Sequence, residues 1–190
     1  MVVGLYPKKK KMLHDFFVFS EIYTAQQCAE LREISYKHKD SILKDNPASN
    51  KNSDYFAVRT KLFEDKLDRF FDCVEECNQS SFGLELYSKI PTSLNYNTYN
   101  IGQSYGSHKD SYPLGSSSDI KLTAILNISE KKFDGGEFVL FFGDKTVEIE
   151  EVSKVGSILV FPSFFYHEVK PVTMGQRITI SVWFSGPNWK

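Results

Sequence analysis

The chain has 190 residues, 41% hydrophobic and 25% charged, with a formal net charge of −1. That length suits one domain with a full core. The near-neutral balance excludes a global field that would recruit nucleic acid or an anionic membrane surface.

Residues 1–14 carry a basic cluster, Lys8–Lys11, and read as a solvated arm. They lack the basic-then-apolar order of a secretory signal. Residues 15–23 (DFFVFSEIY) predict a strand entering a turn. Thr24, with Gln27 three residues on, has the spacing of a capping box. Ala25, Cys28, Ala29, Leu31 and Ile34 then fall near one face, which predicts a helix over 25–38. Residues 39–54 are polar, with a Pro and several Asn, and predict a long loop of the kind that forms lids.

A short strand is expected at 55–62. Leu67, Phe70, Phe71, Val74 and Cys77 at helical spacing predict a second helix over 65–80. From 82 onward the helical period is lost, and strand-like runs follow at 82–88, 93–100, 119–129, 137–142, 145–151, 156–161, 166–172 and 176–184. Sixteen Phe and ten Tyr agree with a strand-rich chain. No apolar run reaches the ~18 residues a membrane span needs, so no membrane contact is expected. Cys28, Cys73 and Cys77 are an odd set without a C-x-x-C pair and read as free thiols. A reducing compartment, and hence a cytoplasmic location, follows. There is no repeat and no domain boundary. The expectation is a single domain over 1–190, with the arm at 1–14, a strand and supporting helices at 15–80 and a β core at 82–190. Two helices ahead of about eight strands predict a mainly β fold with the helices packed outside a sandwich or barrel.

Of the four histidines, His14 and His38 have ordinary places at a strand and a helix end. His108 and His167 stand beside aromatics and small residues, in SYGSHKDS and PSFFYHEV. His108 and Asp110 are two apart, so on an extended segment both point to one face. With His167 as third ligand they form the two-histidine, one-carboxylate pattern of non-haem Fe(II), which leaves positions for a cosubstrate and O2. Arg177 lies ten positions beyond His167. A hairpin in which 176–184 returns beside 166–172 would carry its guanidinium deep along the ligand side. There it offers a bidentate fork to a carboxylate.

Five ordered blocks carry a resemblance: YNIGQSYGSHKD (99–110), LTAILNIS (122–129), DGGEFVLF (134–141), GSILVFPSFFYHEVKPV (156–172) and GQRITISVWF (175–184). Together they resemble the Fe(II)/2-oxoglutarate-dependent oxygenases, in their prolyl 4-hydroxylase-like branch. The resemblance implies a double-stranded β-helix, or jelly roll. It implies Fe(II) on His108, Asp110 and His167, with 2-oxoglutarate and O2 as cosubstrates and ascorbate as an accessory reductant. It makes Arg177 the partner of the distal carboxylate of 2-oxoglutarate and Tyr99 a further cosubstrate contact. Thr179 and Ser181 share the Arg177 face and add hydroxyls there, and Trp183 packs over the pocket floor. Asn127 stands where many members have Tyr, and is expected to contact the cosubstrate in its place. Tyr105 matches a position that meets the target residue. Gly135 and Gly136 are read as a plain turn, and residues 111–119 as a loop closing over substrate.

The implied reaction is hydroxylation of a peptidyl proline, coupled to decarboxylation of 2-oxoglutarate to succinate and CO2. The partner is then a proline-containing protein or peptide. Lys121 alone stands near the place where peptide hydroxylases often have Arg. A 2-oxoglutarate oxygenase of a free amino acid, small molecule or alkylated base is a second reading. The nucleic-acid demethylases usually add a second arginine shortly after the first, and residues 178–184 have none. A jelly-roll binding protein without catalysis is a third.

Overall fold

The computed structural model describes residues 14–39, 50–111 and 118–189. The Lys8–Lys11 arm, positions 40–49 of the polar loop and positions 112–117 of the Ser/Gly-rich loop lie outside the described residues. The elements begin with β1 (Phe17–Phe19), α1 (Ala25–Lys37), β2 (Lys51–Asn52) and β3 (Asp54–Arg59). A 3-10 segment (Thr60–Leu67), α2 (Asp68–Cys77) and a π-type turn (Asn78–Phe82) follow. Then come β4 (Ser93–Tyr99), β5 (Ser104–His108), β6 (Ser118–Asn127), β7 (Asp134–Gly135), β8 (Phe138–Phe142) and β9 (Lys145–Glu148). After a 3-10 turn (Glu150–Ser153), the chain ends in β10 (Ile158–Pro162), β11 (Tyr166–Val169), β12 (Val172–Met174) and β13 (Arg177–Pro187).

Two antiparallel sheets result, in the order β1-β10-β6-β13-β4-β3 and β2-β5-β11-β8-β9, with a small β12-β7 ladder at one end. The inner strands of the six-stranded sheet, β10, β6, β13 and β4, are largely buried on both faces, and their alternation separates two chemistries. Leu94 and Tyr96 on β4, Leu122, Ala124 and Leu126 on β6, and Ile178, Ile180, Val182 and Phe184 on β13 are buried and apolar. They form one core with Cys28 and Leu31 of α1 and Phe70, Cys73, Val74 and Cys77 of α2. Each large apolar side chain so buried contributes on the order of 1.5–3 kcal/mol. The opposite phase carries Asn97, Thr123, Arg177, Thr179 and Ser181, buried as well. It faces the second sheet, and between the two Ile125 of β6 and Phe161 of β10 form a smaller core with Phe138 and Leu140 of β8 and Val169 of β11. The mainly β, jelly-roll expectation with two helices outside is met.

Local signals account for the helices. The capping box is formed: the Gln27 N–H donates to Thr24 Oγ1 at 3.2 Å, and the Thr24 N–H to Gln27 Oε1 at 2.9 Å. The start of α2 is held instead from a distance, by the Phe70 N–H donating to Tyr23 Oη at 3.0 Å. Within the expected 65–80 only Asp68–Cys77 is α-helical: residues 65–67 belong to the 3-10 segment, which is kinked at Glu64 (φ +51°), and the π-type turn takes over at Asn78.

Residues 82–88 form no strand. The Asn78 side chain takes both the N–H and the C=O of Leu84, each at 2.8 Å, so groups that a ladder would use are bound locally. The expected strand at 145–151 ends at Glu148, where the 3-10 turn takes over. The hairpin expected between 166–172 and 176–184 does not form either. β11 pairs with β5 and β8, whereas β13 lies between β4 and β6 in the facing sheet. Between them the chain turns through β12, which pairs with β7. Gly136 is more than a plain turn: at φ +65° it packs where a Cβ would come within 3.1 Å of Arg177 Cδ.

Candidate functional site

β5 and β11 run antiparallel with His108 and His167 as direct partners. Side chains directly opposite in such a pair share a face, and the two imidazole centroids are 4.1 Å apart. Asp110 follows on that face, its backbone fixed where the N–H groups of Asp110 and Ser111 both donate to Ser163 O at 3.0 Å. Asp110 Oδ1 lies 3.6 Å from His108 Nε2, and Oδ2 lies 3.5 Å from His167 Nε2. One ligand atom from each of the three residues lies within 4.8 Å of the others.

The second contacts of these groups aim them. His108 Nδ1 is 2.8 Å from Gly106 O, and His167 Nδ1 is 3.1 Å from Phe165 O. A carbonyl only accepts, so each Nδ1 carries the proton and each Nε2 presents a lone pair to the shared point. Thr123 Oγ1 donates to Asp110 Oδ2 at 2.8 Å and sits 2.9 Å from Ser163 Oγ. Burial pushes the His108 imidazole well below its ordinary range, and nearby His167 adds to that, against the pull of Asp110. A neutral imidazole is the form a metal needs. Two neutral nitrogen donors and one carboxylate around a single point fit Fe(II).

The cluster lines the rim of a cavity between the sheets, with Tyr99, Tyr105, Phe138, Arg177, Thr179, Ser181 and Trp183 around it. Tyr105 stacks on His108 with centroids 3.6 Å apart. Arg177 is 2% exposed. Its guanidinium carbon is 5.4 Å from the Tyr99 ring centre, and its Nη2 has no hydrogen-bond partner among the described residues. Burial lowers the Arg177 pKa from its usual value. A buried guanidinium with an orphaned N–H group is a ready site for a carboxylate.

Nine of the ten residues singled out from the sequence therefore share one cavity. Asn127 does not. Its Nδ2 donates to Val152 O at 3.0 Å and Ser153 O at 2.8 Å, and its Oδ1 accepts from the Ser129 N–H and hydroxyl. Both amide donors and the acceptor are spent on tying β6 to the 3-10 turn, which leaves nothing for a cosubstrate. Lys121 also stays out of the cavity, its Nζ 3.7 Å from the Trp189 ring centre. Three polar lining residues were missed: Lys51, Asn97 and Thr123. Thr123 had a signal, as a polar residue within the apolar run of β6, whereas Asn97 lies among other polar residues of SLNYNTY. Lys51 had none, lying in what reads as a polar loop.

Facing antiparallel sheets, with two histidines and an aspartate at one rim and a buried arginine in the same cavity, define a jelly-roll protein of the mononuclear non-haem iron type. Residues 94–185 match the sequence model of the 2OG-Fe(II) oxygenase superfamily. A PKHD-type hydroxylase of Gloeothece citriformis is 36% identical over 96 residues, 48% of this chain and 41% of that one. The chain thus spans about two fifths of the length of such curated relatives. A Pseudomonas putida prolyl-4-hydroxylase superposes with a TM-score of 0.66 at 19% identity, covering 90% of this chain and 92% of that one. A Trichoplax adhaerens prolyl hydroxylase, in complex with a hypoxia inducible factor peptide fragment, also gives 0.66, at 17% identity over 90% and 84%. These findings support a 2OG-Fe(II) oxygenase over residues 94–185, and the fold is that of the prolyl 4-hydroxylases. Among the described residues no helix is long and apolar enough to cross a membrane.

Proposed function

We propose that this chain works as a single oxygenase domain, an Fe(II)- and 2-oxoglutarate-dependent dioxygenase that hydroxylates a peptidyl proline and releases succinate and CO2. The observation that carries the reading is the convergence of His108, Asp110 and His167, whose ligand atoms lie within 4.8 Å of one another in a cavity that also holds a carboxylate-ready Arg177. Bound Fe(II) would supply the activation of O2 and 2-oxoglutarate that side chains alone do not provide.

The chain's own residues do the rest. The His108 and His167 Nε2 atoms and the Asp110 carboxylate hold the metal, kept in register by the Gly106 and Phe165 carbonyls and the Thr123 hydroxyl. Arg177 binds the distal carboxylate of 2-oxoglutarate, with Tyr99, Thr179 and Ser181 beside it and Trp183 packed over the floor. Phe138, Phe161 and Ile125 make the surrounding wall apolar and restrict water near the reacting groups. Tyr105, stacked on His108, faces the target residue. A peptide substrate is supported by likeness to a fold solved elsewhere with a peptide bound.

The test is succinate release from 2-oxoglutarate with Fe(II), O2 and ascorbate, then with proline-rich peptides, then with free proline. A peptide-dependent rise in succinate, with a mass gain of one oxygen on the peptide, is expected. Stimulation by free proline alone would shift the substrate to a small molecule. No succinate under any condition would leave a binding protein.

A further inference from the structure

Lys51 occupies the same cavity and has no part in the mechanism above. β2 pairs with β5 so that Lys51 lies opposite Tyr105. Its Nζ donates to Asn97 Oδ1 at 2.9 Å, and Asn97 Nδ2 donates to Ser181 Oγ at 3.2 Å. The ammonium also sits 4.0 Å from the centre of the Tyr55 ring and 5.2 Å from that of Tyr105. An amide oxygen and two aromatic faces thus hold the head group in place, and none of them carries a charge. The lysine–carboxylate pairs among the described residues are elsewhere, at Lys66–Glu30, Lys89–Glu75 and Lys170–Glu148. Burial pushes the Lys51 ammonium down to about 8, and the more distant Asp110 only partly offsets this. A half-buried cation that is positioned but not neutralised has an unmet demand for an anion.

The proposed cosubstrate does not need it. One carboxylate of 2-oxoglutarate goes to Arg177 and the other end to the metal, so the second cation in the cavity is left over. We propose that Lys51 is a substrate-recognition residue, binding a carboxylate carried by the molecule to be hydroxylated. The carboxylate comes from an acidic side chain near the target proline of a peptide, or from the α-carboxylate of a free amino acid. The inference rests on the oxygenase reading. The Asn97–Ser181 link makes Asn97 a positioning residue for the lysine.

The wild type, Lys51→Met and Lys51→Arg are loaded with Fe(II) and assayed for succinate, first with 2-oxoglutarate alone. Matched probes follow: capped proline peptides with Glu or Gln at successive positions on either side of the proline, and L-proline against L-prolinamide. Methionine keeps a long apolar stem against Tyr55 and Tyr105 and removes the charge. The wild type is expected to favour the charged member of one pair about tenfold in kcat/KM, the scale of one charge-assisted contact. Lys51→Met loses that preference with the 2-oxoglutarate KM unchanged, and Lys51→Arg restores part of it. The discriminating pair identifies the source of the carboxylate. A wild type that turns over 2-oxoglutarate but favours no charged probe overturns the assignment. So does a Lys51→Met variant that keeps the preference, or one that changes only the 2-oxoglutarate KM. A wild type that makes no succinate in any arm fails earlier, taking the oxygenase reading and this inference together.

Discussion

Replacing Arg177 by methionine separates the demands of the ligand from those of the fold. In the free protein this guanidinium is 2% exposed, and its Nη2 makes no hydrogen bond among the described residues. Exchanging a buried, uncompensated charge for an apolar side chain of similar length is neutral or stabilising, by up to ~4 kcal/mol. For a chain of this size each kcal/mol moves Tm by ~2–4 °C. The metal-free variant is therefore expected to melt at or above the wild-type temperature. With 2-oxoglutarate the sign reverses. Loss of a charge-assisted contact costs ~1.5–3 kcal/mol, which weakens binding by about 10- to 150-fold. The assay is anaerobic titration of 2-oxoglutarate into metal-loaded protein, paired with thermal melts of both metal-free proteins. A variant that binds 2-oxoglutarate as tightly as the wild type would refute the role of Arg177. A fall in Tm matching the loss of affinity would mark the residue as structural.

Thr123→Val removes the hydroxyl that aims Asp110 but keeps the shape of the side chain. Metal affinity is expected to fall about tenfold with the fold intact, as for other outer partners of metal ligands; equal affinity in a metal titration would dismiss this role. The His108 imidazole, pushed down to about 4 mainly by burial, stays neutral well below the ordinary histidine range. Because proton and metal compete for the same nitrogen, and burial makes this one a poor proton acceptor, metal content measured after dialysis should decline only well below the ordinary histidine range. Release with a midpoint near 6.5, the unperturbed value, would contradict the burial argument. In the metal-free protein the same depression means that the unfolded chain takes up the proton first, so stability should fall as pH drops from 6.5 toward 4. Gly156→Ala places a Cβ 1.9 Å from Tyr23 O at a φ of +81°. It should cost ~3 kcal/mol or more, read as a Tm lowered by roughly 6 °C or more; a wild-type melt would show that this turn yields freely.

Much of the site was legible before any fold was known, because its signals are local. His108 and Asp110 share a face through the two-residue strand period alone. In RITISVWF the same period sorts Arg177, Thr179, Ser181 and Trp183 from Ile178, Ile180, Val182 and Phe184. A strand that is apolar on one face and polar but buried on the other marks a cavity wall. The Thr24–Gln27 capping box is equally local, and it forms as its spacing requires.

Pairing across the chain was a different matter. The hairpin invoked to bring Arg177 toward His167 is absent, yet Arg177 still reaches the cavity from the facing sheet, because the inward phase of β13 was read correctly. Asn127 shows the opposite failure. It belongs to the inward phase with Thr123, but its amide is claimed by Val152 and Ser153, partners twenty-five and twenty-six positions away. Lys51 enters the site only because β2 docks on β5, fifty-four positions later in the chain at Tyr105. By itself, then, the sequence determined most of the candidate residues and which face of each strand they occupy, since both follow from side-chain chemistry and bond geometry within a few residues. Which strands lie side by side, and which polar groups are already satisfied by a distant backbone, only the tertiary structure decided, because those contacts are settled by competition among partners far apart in the chain.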